Sequence, residues 1–216
     1  MGNCLREKRG RPGEGEEPAI VKPPCRSPEG GRDCVIRRYA ALFLAILVFS
    51  AVHEAGHGLL AAAFDEYEAF YIRPFGLEVE FKTPVAQRVG IKWGFISGAS
   101  NMVTLALGYL LFAIRKTLSQ LDKPFLQVAA NTMTILFMVI DPLNLSVGPL
   151  LYGGDIRGIV VGFTVNQYVI QAMFFLVFLI NRELIAQCLL PRYGVRARNP
   201  LWKPWVAPRA LANLRS

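Results

Sequence analysis

Four long apolar stretches separated by polar ones dominate the chain: residues 39–64, 93–114, 125–140 and 159–180. The hydrocarbon core of a bilayer is crossed by about 20 predominantly apolar residues of helix. The first, second and fourth stretches reach that length. The third stops at Asp141-Pro142, so it is expected to be short or broken. A broken helix at membrane depth is tolerated only where protein or a wet cavity covers it. After the first stretch, Leu77, Val79 and Phe81 alternate with Glu78 and Glu80, the two-residue period of a half-buried strand. Pro74 and Gly76 interrupt the run and predict two short strands. The expected fold is therefore an all-α polytopic membrane protein, with about four transmembrane helices and a small surface β-hairpin after the first.

The ends differ in character. Residues 10–33 are rich in Pro, Gly and charge, and such a segment buries too little apolar surface to offset its ordering entropy. Residues 1–38 are read as a disordered basic tail, 39–181 as the membrane-embedded core, and 182–216 as a basic interfacial tail. Trp202 and Trp205 among Pro200, Pro204 and Pro208 suit an interfacial segment. In the second stretch Gly94, Ser97, Gly98, Ser100 and Asn101 let helices approach closely, and Asn101 needs a partner inside the bundle. No internal repeat suggests an inverted-repeat transporter.

Composition agrees with a membrane protein: 53% of residues are hydrophobic and 19% charged. The formal net charge of +8 resides mainly in the tails. A cytoplasmic face or anionic lipid accounts for that pattern more simply than nucleic acid does. With four spans both termini share one side, and charge counting places them in the cytoplasm. Cys4, Cys25, Cys34 and Cys188 form no Cys-x-x-Cys pair, so neither a zinc ribbon nor a disulfide framework is implied. Met1-Gly2-Asn3-Cys4 hints at acylation, although position 6 is Arg rather than Ser or Thr. The first apolar run begins too late for a cleavable signal peptide.

The chemistry concentrates near the end of the first stretch. His53-Glu54-Ala55-Gly56-His57 is an H-E-x-x-H motif, and these are the only 2 histidines. Four residues apart on a helix, two imidazoles share one face and can grip a single zinc ion. Glu54, beside the first ligand, is then placed to act as general base on a metal-bound water. Ionisable residues in an apolar helix each cost about 2.5–3.5 kcal/mol or more, so they are usually functional and partnered. A catalytic zinc takes three protein ligands and leaves a fourth position open. With no further histidine, the third ligand must be a carboxylate or a cysteine. Asp155 and Asp141 both lie in the polar connection between the last two stretches, on the side where the first helix ends.

These motifs resemble the site-2 protease family of intramembrane zinc metalloproteases. The likeness is carried by Val52-His53-Glu54-Ala55-Gly56-His57-Gly58, by Ser97-Gly98-Ala99-Ser100-Asn101, and by Asn144 and Pro149 ahead of Gly153-Gly154-Asp155. It spans roughly residues 40–180. The resemblance implies one Zn²⁺ per chain held by His53, His57 and Asp155, with Glu54 as base. It also implies hydrolysis of a peptide bond in a membrane protein or peptide substrate, with the bilayer as the other partner. Asn144 and Asn101 are candidate oxyanion or substrate contacts. Two alternatives stand beside it. One is a catalytically inactive scaffold or chaperone of the same fold. The other is a metal transporter, for which Asn166, Gln167 and Gln171 would supply polar positions.

Overall fold

The computed structural model describes residues 31–73, 76–195 and 199–206. The N-terminal acylation hint and most of the Pro/Gly-rich tail lie outside the described residues. Among the described residues the chain is mostly helical, with four helices long and apolar enough to cross a membrane (35–63, 91–113, 124–146 and 167–193) and one two-stranded antiparallel sheet.

Helix α1 (Gly31–Ala63) starts eight residues before the expected boundary at 39, so the end of the expected tail is helical. It stops sharply. Asp65 adopts a left-handed conformation (φ 57°), and the amide of Glu66 reaches back to the carbonyl of Ala61 at 2.7 Å while that of Asp65 bonds Ala62 at 3.2 Å. This is a Schellman closure, and it turns the chain directly into the hairpin. Strands β1 (Tyr67–Arg73) and β2 (Gly76–Phe81) pair antiparallel, with Phe70 opposite Val79 and Tyr71 opposite Glu78. The alternation of residues 77–81 is realised: Val79 is buried while Glu78 and Glu80 are exposed.

The hairpin is anchored to the next helix. Glu66 pairs with Lys92 and accepts the Thr83 amide at 3.2 Å. Lys92 holds the Glu66 carboxyl below its ordinary range. Arg88 lies over the rings of Phe81 and Trp93, 4.7 and 4.4 Å from their centroids. Trp93 in turn packs with Ala61 and Ile96.

Helix α2 (Ile91–Ala113) is followed by the short α3 (Arg115–Ser119) and by α4 (Pro124–Ser146). The break expected at Asp141-Pro142 does not occur, because α4 runs through Pro142. Proline lacks the N–H that would serve the carbonyl four residues earlier. That carbonyl belongs to Met138, and it receives the side-chain amide of Asn181 at 2.7 Å instead. Tyr109 donates to the other end of the same amide, also at 2.7 Å. Neighbouring helices thus satisfy the group that proline frees, as an apolar surrounding requires.

The fourth expected stretch, 159–180, is in fact divided. Residues 156–163 form α5 (Ile156–Phe163), and α6 (Gln167–Leu184) begins after a left-handed Thr164 (φ 54°). Asn166 caps α6 through a 2.8 Å bond from the Tyr168 amide, so this polar residue marks a helix start. The last helix then continues through a π-helical turn (Ile185–Leu189) to Tyr193, well beyond the expected boundary at 181. A tail segment docks on this end, where Glu183 accepts the amides of Trp205 and Val206, each at 3.1 Å.

Helix α1 packs against α2 and α4, α2 also contacts α4 and α5, and α6 lies on α4. The small residues of α2 mark its closest approaches. A β-carbon on Gly56 would lie 2.6 Å from Ser100 Oγ and 3.0 Å from Ser100 Cα, so glycine lets α1 and α2 touch there. Gly158 and Gly162 form a G-x-x-x-G face on α5 that seats against Ser97 and Gly94 of α2. Gly162→Ala would press a methyl into the Gly94 backbone, which cannot swing aside as a side chain can. Overpacking of this kind costs about 1–3 kcal/mol. Thermal unfolding of the detergent-purified variant is expected to show a loss of that order, and an unchanged midpoint would contradict the tight crossing.

Candidate metal centre

Helix periodicity puts His53 and His57 on one face of α1, turned towards α2. His57 is nearly fully buried, 5% exposed, and its Nδ1 stands 2.8 Å from the carbonyl oxygen of Ile96 on α2. A carbonyl can only accept, so Nδ1 carries the proton and Nε2 presents its lone pair. Phe49, one turn before His53, stacks on that ring with centroids 5.7 Å apart. The Ser100 hydroxyl donates to the carbonyl of His53 at 2.7 Å, locking the two helices where Gly56 allows them to meet.

Asp155 reaches the pair from the far side. Gly154, in a left-handed conformation (φ 50°), turns the chain just before it, and Asp155 is the residue from which α5 begins. The seat of α5 on α2 carries its carboxylate to the histidines. His53 Nε2 and Asp155 Oδ2 are 3.2 Å apart, as are His57 Nε2 and Asp155 Oδ1, and the two Nε2 atoms are also 3.2 Å apart. Asn101, fully buried on α2, donates its amide to Asp155 Oδ2 at 3.0 Å and to the carbonyl of Ser97 at 2.8 Å. Among the described residues, His53, His57 and Asp155 are the group able to converge on one ion.

The spacing can be tested against the chemistry. Two donors held about 2.0–2.1 Å from one tetrahedral zinc stand about 3.3–3.4 Å apart. The two Nε2 atoms stand near that separation, and each lies as close to one oxygen of the Asp155 carboxylate, Oδ2 for His53 and Oδ1 for His57. Two imidazoles and one carboxylate also form one of the ligand sets of catalytic zinc. The donor set therefore fits a zinc ion with a fourth position left to a small ligand.

Asp141 takes a different place. Its Oδ1 lies 3.2 Å from His53 Nδ1, on the nitrogen that points away from His57 and Asp155. Its Oδ2 accepts the hydroxyl of Thr104. The two carboxylates thus flank one imidazole, and only Asp155 joins the trio.

Glu54 turns towards the hairpin. Its Oε2 accepts the backbone amide of Val79 at 3.1 Å, and no described residue bonds Oε1. Phe81, two residues further along β2, meets the His57 ring edge-on at 6.5 Å. Strand β2 therefore runs past both the candidate base and a candidate ligand. Asn144, near the end of α4, accepts the Tyr152 hydroxyl through its carbonyl oxygen, leaving its amide hydrogens without a partner among the described residues. A cavity of about 230 Å³ lies beside Tyr152, lined also by Leu150, Gly153, Arg157 and Gln167.

The seven polar residues singled out from sequence are brought into one region, but their surroundings were not foreseen. Ile96, Ser100 and Thr104 hold the histidines and Asp141, and Val79 holds Glu54. The three-to-four-residue spacing of Ser97, Ser100, Asn101 and Thr104 along α2 carried a readable signal of one polar face. The amide of Val79 and the carbonyl of Ile96 carried none, because backbone groups leave no mark in composition. No family model, curated protein or solved structure matches the chain.

Proposed function

We propose that this chain is an integral membrane zinc metalloprotease, similar to site-2 proteases, that hydrolyses peptide bonds of membrane-associated substrates. What supports the reading is one observation above the others: two imidazole nitrogens 3.2 Å apart, each 3.2 Å from an oxygen of the same carboxylate, with an uncommitted carboxylate oxygen on the residue next to the first of them. The outward faces of the long helices add to it. Large apolar side chains such as Phe43, Leu47, Met102, Leu110, Met173 and Leu176 are exposed there, a surface suited to lipid.

Zinc, when bound, supplies a Lewis acid that acidifies its water and polarises a carbonyl. The protein's own groups do the rest. His53, His57 and Asp155 hold the ion, with Asn101 keeping the Asp155 carboxylate in place. Glu54 removes the proton of the attacking water through Oε1 and returns it to the departing amine. Asn144 offers amide hydrogens to the substrate carbonyl, whereas those of Asn101 are already committed to Ser97 and Asp155. Helical substrate must unwind before its peptide bonds are accessible, and β2 offers an edge along which an extended segment can add as a strand.

The link between strand and base is open to test. Val79→Pro removes the amide that fixes Glu54. A hydrogen bond to a charged group is worth about 1.5–3 kcal/mol, so cleavage of a co-expressed membrane substrate should drop about 10- to 100-fold with metal content unchanged. Cleavage at the wild-type rate would separate β2 from catalysis.

A further inference from the structure

We infer that Asp141 is a positioning residue, which fixes the proton of His53 on Nδ1 and so keeps Nε2 free to bind metal. The inference rests on the protease reading above, in which His53 is a ligand. Asp141 is 1% exposed and lies within a helix long and apolar enough to cross a membrane. A carboxylate there is costly unless it is partnered. Its partners are few. Oδ2 lies against the Thr104 hydroxyl, whose one hydrogen is shared among Oδ2 and the carbonyls of Ser100 (2.8 Å) and Asn101 (3.1 Å). Oδ1 lies 3.2 Å from His53 Nδ1, at ion-pair distance but outside hydrogen-bond alignment, and neither atom has a hydrogen-bond partner among the described residues.

An ionised carboxylate is purely an acceptor, so a nitrogen beside it is stabilised when it carries hydrogen. With Nδ1 protonated, the lone pair of His53 lies on Nε2, directed at His57 and Asp155. His57 reaches the same state through the Ile96 carbonyl. The two ligands are thus oriented by unlike groups. A carboxylate partner makes an imidazole a more basic and stronger ligand than a carbonyl does, and such outer partners are worth about 10- to 100-fold in metal affinity. Asp141 also sits on the wrong nitrogen to bind the same ion as Nε2. Its placement answers why a second acid, fully buried, accompanies the two histidines.

Asp141→Asn keeps size and shape and reverses the hydrogen-bond polarity. The Asn carbonyl can accept from Thr104 while its amide donates to Nδ1, which moves the ring proton to Nε2 and blocks the ligand. Zinc affinity of the detergent-purified full chain, measured by competition with a chromophoric chelator, is expected to fall about 10- to 100-fold. The metal-free variant should unfold at the same or a higher temperature than metal-free wild type, because a buried charge has been removed. A purely structural role would instead lower that temperature. Thr104→Val supplies a second variant should the first fold poorly, with an affinity loss of about tenfold expected. Zinc affinity within twofold of wild type in both variants overturns the inference. So does a loss as complete as that of Asp155→Ala, which would make Asp141 a ligand. Wild-type protein without zinc affinity would remove the protease reading itself, and the positioning role with it.

Discussion

Glu54→Gln is expected to lower the turnover of a membrane peptide substrate by about 10²–10⁴-fold, the range in which a general base contributes. Metal content, fold and substrate affinity should be unchanged. Glutamine has the same length, and its carbonyl oxygen can still accept the Val79 amide that now holds Oε2. Only basicity is lost, at an oxygen that bonds no described residue. Because Glu54 is not one of the three converging donors, zinc should be retained at the wild-type level. Steady-state kinetics of purified variant and wild type, with metal analysis of the same samples, separate the two effects. Undiminished turnover would assign the base to another group.

Asp155→Ala is expected to have the largest effect on the metal itself. It removes one of three donors and leaves only the two imidazoles, whose Nε2 atoms are 3.2 Å apart. The loss of affinity should clearly exceed the roughly 10- to 100-fold of an outer partner such as Asp141. The amide of Asn101 would keep its bond to Ser97, and the glycine face of α5 would still seat on α2, so folding should survive. The ordering matters more than either value. If Asp141→Asn strips the metal and Asp155→Ala spares it, the assigned roles of the two acids are reversed.

Much of this site was legible in the chain. The four-residue spacing of His53 and His57 fixes their common face by helix geometry alone. The alternation at 77–81 foretold the hairpin, and the small residues of α2 foretold its tight crossings. Other features depended on contacts distant in sequence. Pro142 signals a break, and the break is averted only because Asn181, on another helix, supplies the donor that Met138 lacks. The division of the fourth stretch turns on one residue, Thr164, in a left-handed conformation amid an apolar run that reads as continuous helix. That division also explains how Asp155 is delivered, since the short α5 is set by its G-x-x-x-G face rather than by the path of a spanning helix. By composition and region Asp141 and Asp155 were both candidates, and only the resemblance favoured Asp155 over its rival. What separates them is which nitrogen of His53 each one meets, and no local pattern encodes that.

The central claim is that His53, His57 and Asp155 hold one metal ion inside the helical bundle. Its most direct test is metal analysis of the full chain purified in detergent without added zinc, beside a variant in which both histidines are alanine. About one zinc per wild-type chain and none in the double variant is the result expected. Wild-type protein devoid of tightly held metal, or metal retained after both imidazoles are removed, would contradict it.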